Sequence, residues 1–315
     1  MIKKLLYKNP IKFCISFFII GIIVGFTISV IAESINSDEV LYDNSNSSSN
    51  SENVQDAIDH LYNIYDHSSV GFSLLTRTPD KLSTELVAGL YRYQGVQNAN
   101  NTVDNYICFG TTNKSDRVGD TDKYMYRIIG INTNGQMKLI KKEALNTAYQ
   151  WASNTGIDWA HSSLYANLNG SYFLTDTNYV PDSSWSNRIV ASDWHYLTSS
   201  DDTISTIAER ELGAETVNAK IGLMYLHDYA YALEPPAYSG ASWIHIKNND
   251  TNAPGTYEWT ISRWNTSDAW AVYSGSRVGS YVMTASYSVR PVFFLKASEA
   301  IASGAGTITD PYILS

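Results

Sequence analysis

The chain has 315 residues and a formal charge of −9, with 13% aromatic and only 17% charged residues. Lys3, Lys4, Lys8 and Lys12 precede the first acid; without them 18 basic and 31 acidic residues remain, a charge of −13. So acidic a body excludes a nucleic-acid partner by repulsion, and with Cys14 in the apolar N-terminal run and only Cys108 in the body, an intrachain disulfide, a CxxC motif and a zinc site are excluded as well.

Residues 1–32 read as an address. A basic stretch runs into the mostly apolar segment Phe13–Ala32, the pattern of a signal peptide or signal anchor with its lysines held in the cytoplasm. A segment this long spans a bilayer as a helix, at ~1.5 Å per residue over ~30 Å, placing the membrane at residues 13–32 and the body outside. Val30-Ile31-Ala32 also suits a signal peptidase, so a retained anchor and cleavage after Ala32 both stay open. Residues 33–52, with "DNSNSSSN", form a polar linker that cannot bury enough to fold.

Residues 53–66 predict a short amphipathic helix. Asn53 caps it, and Val54, Ile58, Leu61 and Tyr65 share one face. So short a helix is marginal alone and needs a partner, either its own domain or a second copy in a homo-oligomer. Residues 67–85 connect it to a globular domain at 86–315. There "LVAGLYRYQG" and "NYICFG" read as short strands. "YMYRIIGINTNGQMKLIKK" (124–142) reads as a hairpin, with Tyr126, Ile128, Met137 and Leu139 alternating about the turn signal Asn134-Gly135. The stretch 143–220 is irregular, with helical patches at 162–169 and 203–212. "YEWTISRW", "AWAVYSGSRVG" and "SVRPVFFLK" then read as three strands in a row. In the last, Val292–Leu295 is apolar on both faces, as a central strand should be. Pro291 suits a strand start. Arg290 offers a planar fork for a carboxylate or loop carbonyls, a structural role.

The motifs "NYICFG", "YMYRIIGI", "MKLIKKEALN", "SSLYANLNGSYF", "NAKIGLMYLHDYAYA", "EWTIS", "AWAVYSGSRVG", "SVRPVFFLK" and "DPYIL", with the Ser/Asn linker and the "NVQDAIDHLY" helix, cover nearly the whole chain. Together they resemble a large family of exported surface proteins of Firmicutes. The resemblance implies an α+β fold: a divergent C-type-lectin-like domain, akin to formylglycine-generating enzymes, with a twisted antiparallel sheet and long irregular loops. It implies no established activity.

The chemistry-bearing patterns of those relatives are incomplete here. Cys108 alone cannot supply formylglycine chemistry. The calcium motifs of true C-type lectins are half missing, because Pro236 follows Glu234-Pro235 and Thr266 follows Trp264-Asn265, whereas calcium needs six to eight oxygens. The histidines lack ligand spacing, no GxSxG elbow is present, and acids such as Glu209 and Glu211 read as solvated faces. No catalytic residue, metal or cofactor is therefore expected. The eight tryptophans either pin loops to the sheet or line a binding face. From the resemblance, ligand contacts are expected in segment 257–285, at Trp264, Asn265, Asp268, Tyr273, Ser276, Arg277 and Tyr281. The resulting expectation is a non-catalytic, membrane-anchored or secreted bacterial surface protein that binds an extracellular protein or glycan. The alternatives are an exported enzyme acting on glycans through acids in 143–220, and a subunit of a surface assembly joined by the 53–65 helix.

Overall fold

The computed structural model describes residues 82–83, 86–96, 103–117, 123–198, 204–238, 242–246, 257–273, 277–299 and 301–315. The address segment, the linker and the 53–66 helix lie outside the described residues. No helix among those described is long and apolar enough to cross a membrane.

The strands, in chain order, are β1 (Leu90–Arg92), β2 (Tyr106–Cys108), β3 (Met125–Asn132), β4 (Met137–Lys141), β5 (Tyr149–Gln150), β6 (Ile189–Val190), β7 (Ser192–Tyr196), β8 (Glu215–Ala219), β9 (Ile221–Gly222), β10 (Tyr257–Arg263), β11 (Asp268–Tyr273), β12 (Arg277–Val282), β13 (Ser286–Tyr287), β14 (Val292–Leu295), β15 (Ile301–Ser303) and β16 (Tyr312–Leu314). Among the described residues, short α-helices join them: α1 (Ser163–Leu168), α2 (Ser183–Ser186), α3 (Ile204–Leu212) and α4 (Leu226–Ala230). The architecture is α+β, dominated by sheet.

The main sheet runs β15-β16-β2-β3-β4-β14-β6, with β1 also on β3 and β9 also on β14. Its seed is the β3–β4 hairpin. Asn132 closes the turn by accepting the backbone N–H groups of Asn134 and Gln136, and Gly135 takes the left-handed conformation that the turn requires. β14 lies inside the sheet, against β4 on one side and β6 and β9 on the other, which is why all four of its side chains are apolar. Phe293 sits among Phe109, Tyr126 and Phe173, at centroid distances of 4.8, 5.4 and 5.9 Å.

The structure corrects two expectations. The sheet is mixed rather than antiparallel, because the chain end β16 lies parallel to β2. "AWAVYSGSRVG" makes two strands, β11 and β12, which complete a separate three-stranded sheet with β10. In the β3–β4 hairpin Arg127, Lys138 and Lys141 are buried together with the apolar set. Other elements cover both faces of this hairpin, so simple alternation does not apply.

The tryptophans act as pins. Trp151, Trp194 and Trp259 are buried and donate their indole N–H to the carbonyls of Thr260, Ala219 and Tyr149, tying irregular segments to strands. Only Trp264 is half-buried.

Candidate functional site

Two groupings of polar and aromatic side chains stand out, one in the core and one at the surface. In the core, Asp228 on α4 accepts from Arg92 Nη1 at 2.7 Å, Lys138 Nζ at 2.6 Å and the backbone N–H of Tyr225 at 2.9 Å. Glu211, at the end of α3, accepts from the backbone N–H groups of Leu226 and His227, from His227 Nδ1 at 2.9 Å and from Ser262 Oγ at 2.7 Å. The two carboxylates therefore cap the first turn of α4 from both sides. The Lys138 ammonium also lies 4.0 Å from the centroid of the Tyr225 ring, a cation–π contact.

Burial draws the Lys138 ammonium down to about 8 against the pull of Asp228. Burial also pushes the Asp228 carboxyl up, but Lys138 and Arg92 outweigh it and hold that group well below the usual carboxylate range. The His227 imidazole is lowered, again by burial first, against the opposing Glu211. Every one of these side chains is sealed from solvent. The sequence reading of Glu211 as a solvated acid is thus overturned: it is the buried anchor between α3 and α4. Its partners lie in distant stretches of chain, so no spacing rule could have found the knot.

Arg290 forms a second buried pair. Its Nε and Nη2 grip Glu258 on β10 at 2.7 and 2.8 Å, and Nη2 also reaches the Ile244 carbonyl at 2.6 Å. This is the carboxylate-and-carbonyl role expected of the fork beside Pro291, which is itself buried at the start of β14.

The surface grouping is built on the β10–β11–β12 sheet. Side chains alternate between faces along each strand. In register, Tyr257 stands opposite Tyr273, Tyr273 opposite Arg277, Ala271 opposite Gly279 and Ala269 opposite Tyr281. One face therefore carries Tyr257 and Trp259 from β10, Ala269, Ala271 and Tyr273 from β11, and Arg277, Gly279 and Tyr281 from β12. The small residues leave room for the rings, which pack tilted or edge-to-face on one another. A methyl group at Gly279 would stand 3.1 Å from Tyr281 Cε2, so the Tyr281 ring leans back along its own strand over the glycine. It reaches Tyr257 at 4.4 Å and Tyr273 at 6.4 Å, while Tyr287 on β13 closes the group at 4.7 Å from Tyr257.

All four tyrosines are half-buried and Arg277 is exposed at the rim. Burial, then Tyr257, pushes the Tyr281 phenol up to about 12, and the same two causes raise Tyr287. The Tyr281 and Tyr287 hydroxyls thus stay neutral donor–acceptors across the physiological range. Half-wet rings and neutral hydroxyls can offer apolar contact and hydrogen bonds to one ligand.

The residues expected from sequence divide between two places. Tyr273, Arg277 and Tyr281 come together on this face. Trp264, Asn265 and Asp268 lie at the β10–β11 turn. There Asn265 Oδ1 accepts from the N–H groups of Ser267 and Asp268, and its Nδ2 donates to Asp268. Their polar atoms shape the turn, and Trp264 packs edge-on to buried Trp270. Ser276 lies outside the described residues. Tyr257 and Tyr287 were missed, although the alternation of Tyr257 and Trp259 ahead of a strand partner was a usable signal. Among the described residues no three His, Cys, Asp or Glu side chains converge as a metal site would require.

No family model, curated protein or solved structure matches this chain.

Proposed function

We propose that the chain is a non-catalytic binding module on the outside of a Gram-positive cell, of divergent C-type-lectin-like design, held by or released from an N-terminal signal segment. Its tyrosine face engages an extracellular protein or glycan. The observation that carries this reading is the convergence of Tyr257, Tyr273, Tyr281 and Tyr287 on one sheet face, half-exposed, with Arg277 at the rim. Tyrosine offers a large, stiff contact area at small entropic cost, which suits recognition of flat sugar rings or peptide anchors. The strongly interacting ionisable groups Arg92, Lys138, Glu211, His227 and Asp228 support the core instead of lining a cleft, which favours binding over turnover.

The test is a glycan and host-protein array probed with the purified protein, with and without calcium, alongside Tyr281→Ala and Arg277→Ala. The expected result is a calcium-independent ligand whose binding Tyr281→Ala weakens by at least about tenfold, the scale of one lost anchor contact, with the unfolding midpoint barely changed. Equal binding by wild type and Tyr281→Ala, or a blank on both arrays, would overturn the assignment of this face.

A further inference from the structure

The tyrosine face continues past the β10–β11–β12 sheet. A parallel bridge joins Glu258 of β10 to Ser288, so Tyr257 and Tyr287, one residue before each, lie side by side with their rings 4.7 Å apart. Beyond them, Tyr287 of β13 stands directly opposite Tyr149 of β5. In the other direction Tyr257 stands opposite Tyr273, and Tyr273 opposite Arg277. Directly opposed residues share a face. Arg277, Tyr273, Tyr257, Tyr287 and Tyr149 therefore form one row that crosses β12, β11, β10, β13 and β5. Tyr172, stacked on Tyr149 at 4.1 Å, closes its end. Each tyrosine of the row is half-buried, and Arg277 is exposed. With strands ~4.8 Å apart, the row from Arg277 to Tyr149 spans roughly 19 Å.

The row is apolar along its length and poor in acceptors. Its rings offer packing area, and its phenols carry O–H groups at their tips. Burial raises the Tyr149 phenol, as it does those of Tyr281 and Tyr287, so these hydroxyls keep their protons. None of the side chains in the row is a carboxylate or an amide, the stronger acceptors. The two ends differ in charge. Arg277 is a cation with no ion pair among the described residues. At the other end Asp176 adds, after burial and Tyr172, to the rise at Tyr149, so the potential there is negative.

We infer that the row is a track for a proline-rich segment of an extracellular protein, lying as a polyproline II helix with an acidic residue beside Arg277. The inference rests on the reading of the tyrosine face as a binding surface, and it adds Tyr149 and Tyr172 to that surface. Polyproline II is the preformed conformation that aromatic-lined surfaces recognise. Proline has no N–H, so such a segment brings carbonyl acceptors and leaves no backbone donor unpaired, which matches a surface of phenols. About six residues at ~3.1 Å each, two turns, cover the length of the row. An ordinary extended peptide would bring N–H groups, and a glycan many hydroxyl donors, to a surface with few acceptors for them. The acid of the segment meets the Arg277 guanidinium as a carboxylate partner and is kept by repulsion from the Asp176 end.

Calorimetric titration of the purified protein with acetylated, amidated hexaproline, triproline and a Ser-Ala hexapeptide tests the inference, alongside hexaproline carrying an aspartate at its N- or its C-terminal end. Hexaproline is expected to bind, triproline at least about tenfold more weakly because it covers half the row, and the Ser-Ala peptide not at all. At least one aspartate form should bind about two- to fivefold tighter than hexaproline, the scale of an exposed ion pair, and Arg277→Gln should remove that gain. Tyr149→Ala should bring hexaproline down towards the triproline affinity; the peptide series on the unchanged protein decides the matter even if that variant does not fold. No binding at millimolar hexaproline, equal binding of hexaproline and triproline, or equal binding of hexaproline and the Ser-Ala peptide would overturn the inference. A glycan bound through Tyr281 on the arrays, with no hexaproline binding, would overturn the proline track and leave the tyrosine face standing. Hexaproline binding that neither Tyr281→Ala nor Tyr149→Ala changes would overturn both.

Discussion

Replacing Arg290 by methionine removes one half of a buried ion pair. The guanidinium is 1% exposed and so is Glu258, and the two are joined by contacts of 2.7 and 2.8 Å, with a third bond from Arg290 to the Ile244 carbonyl. Arg290→Met strips the Glu258 carboxylate of its two-pronged partner and leaves the Ile244 carbonyl without this donor. Breaking a buried pair from one side costs ~3–5 kcal/mol, because a charge stays behind out of water. For a domain of about 150–250 residues each kcal/mol lowers Tm by about 2–4 °C, so the fall should be on the order of 10–15 °C. Removing both charges in Arg290→Met/Glu258→Leu should recover most of the loss, since the desolvation penalty disappears with the pair. Arg290→Lys should fall between, keeping the charge but losing the fork. The assay is urea unfolding at 25 °C followed by tryptophan fluorescence, which the buried indoles report. A cost under ~1 kcal/mol for Arg290→Met is what a solvent-exposed pair would give and would refute the reasoning; so would a double variant no more stable than the single one.

Three further outcomes follow from the core. Asp228→Asn leaves Arg92 and Lys138 buried without their anion and should cost ~3–5 kcal/mol in the same unfolding assay, with no change expected if the knot were hydrated. Gly222→Ala places a methyl 2.3 Å from the Trp194 ring, so overpacking should lower stability by ~1–3 kcal/mol and shift the indole emission; an unchanged midpoint would refute the close approach. The lowered His227 imidazole sets a pH dependence. Between that lowered value and about 6.5 the unfolded chain carries a proton that the folded one lacks, so stability falls as pH drops below about 6.5. His227→Asn, which keeps a donor for Glu211, should flatten the profile there; an unchanged slope between pH 5 and 7 would show that His227 titrates as a free side chain.

Local patterns in the chain are sufficient for several elements. Asn134-Gly135 specifies the β3–β4 turn because the left-handed conformation there comes at little steric cost to glycine. The helical patches at 162–169 and 203–212 coincide with α1 and α3, the first capped by the Ser162 hydroxyl on the Tyr165 N–H at 3.0 Å. The apolar run Val292–Leu295 is a central strand because a strand covered on both faces tolerates no polar alternation. These features depend on residues a few positions apart, which is the range over which periodicity and turn chemistry act.

Tertiary structure decided the rest. Whether Arg127 and Lys138 face water or core depends on the elements that cover the hairpin, and Asp228 meets Lys138 across 90 positions and Arg92 across 136. The split of the expected ligand residues has the same origin. Asn265 and Asp268 are drawn into the β10–β11 turn by hydrogen bonds three residues long, whereas Tyr257, Tyr273, Tyr281 and Tyr287 meet only because four strands set them in register over alanine and glycine. The sequence by itself determined which segments could become strands, turns and helices. Which side chains share a face, and which charges are withdrawn from water, was decided only when strands distant in the chain packed together, because burial is a property of the neighbours and not of the residue.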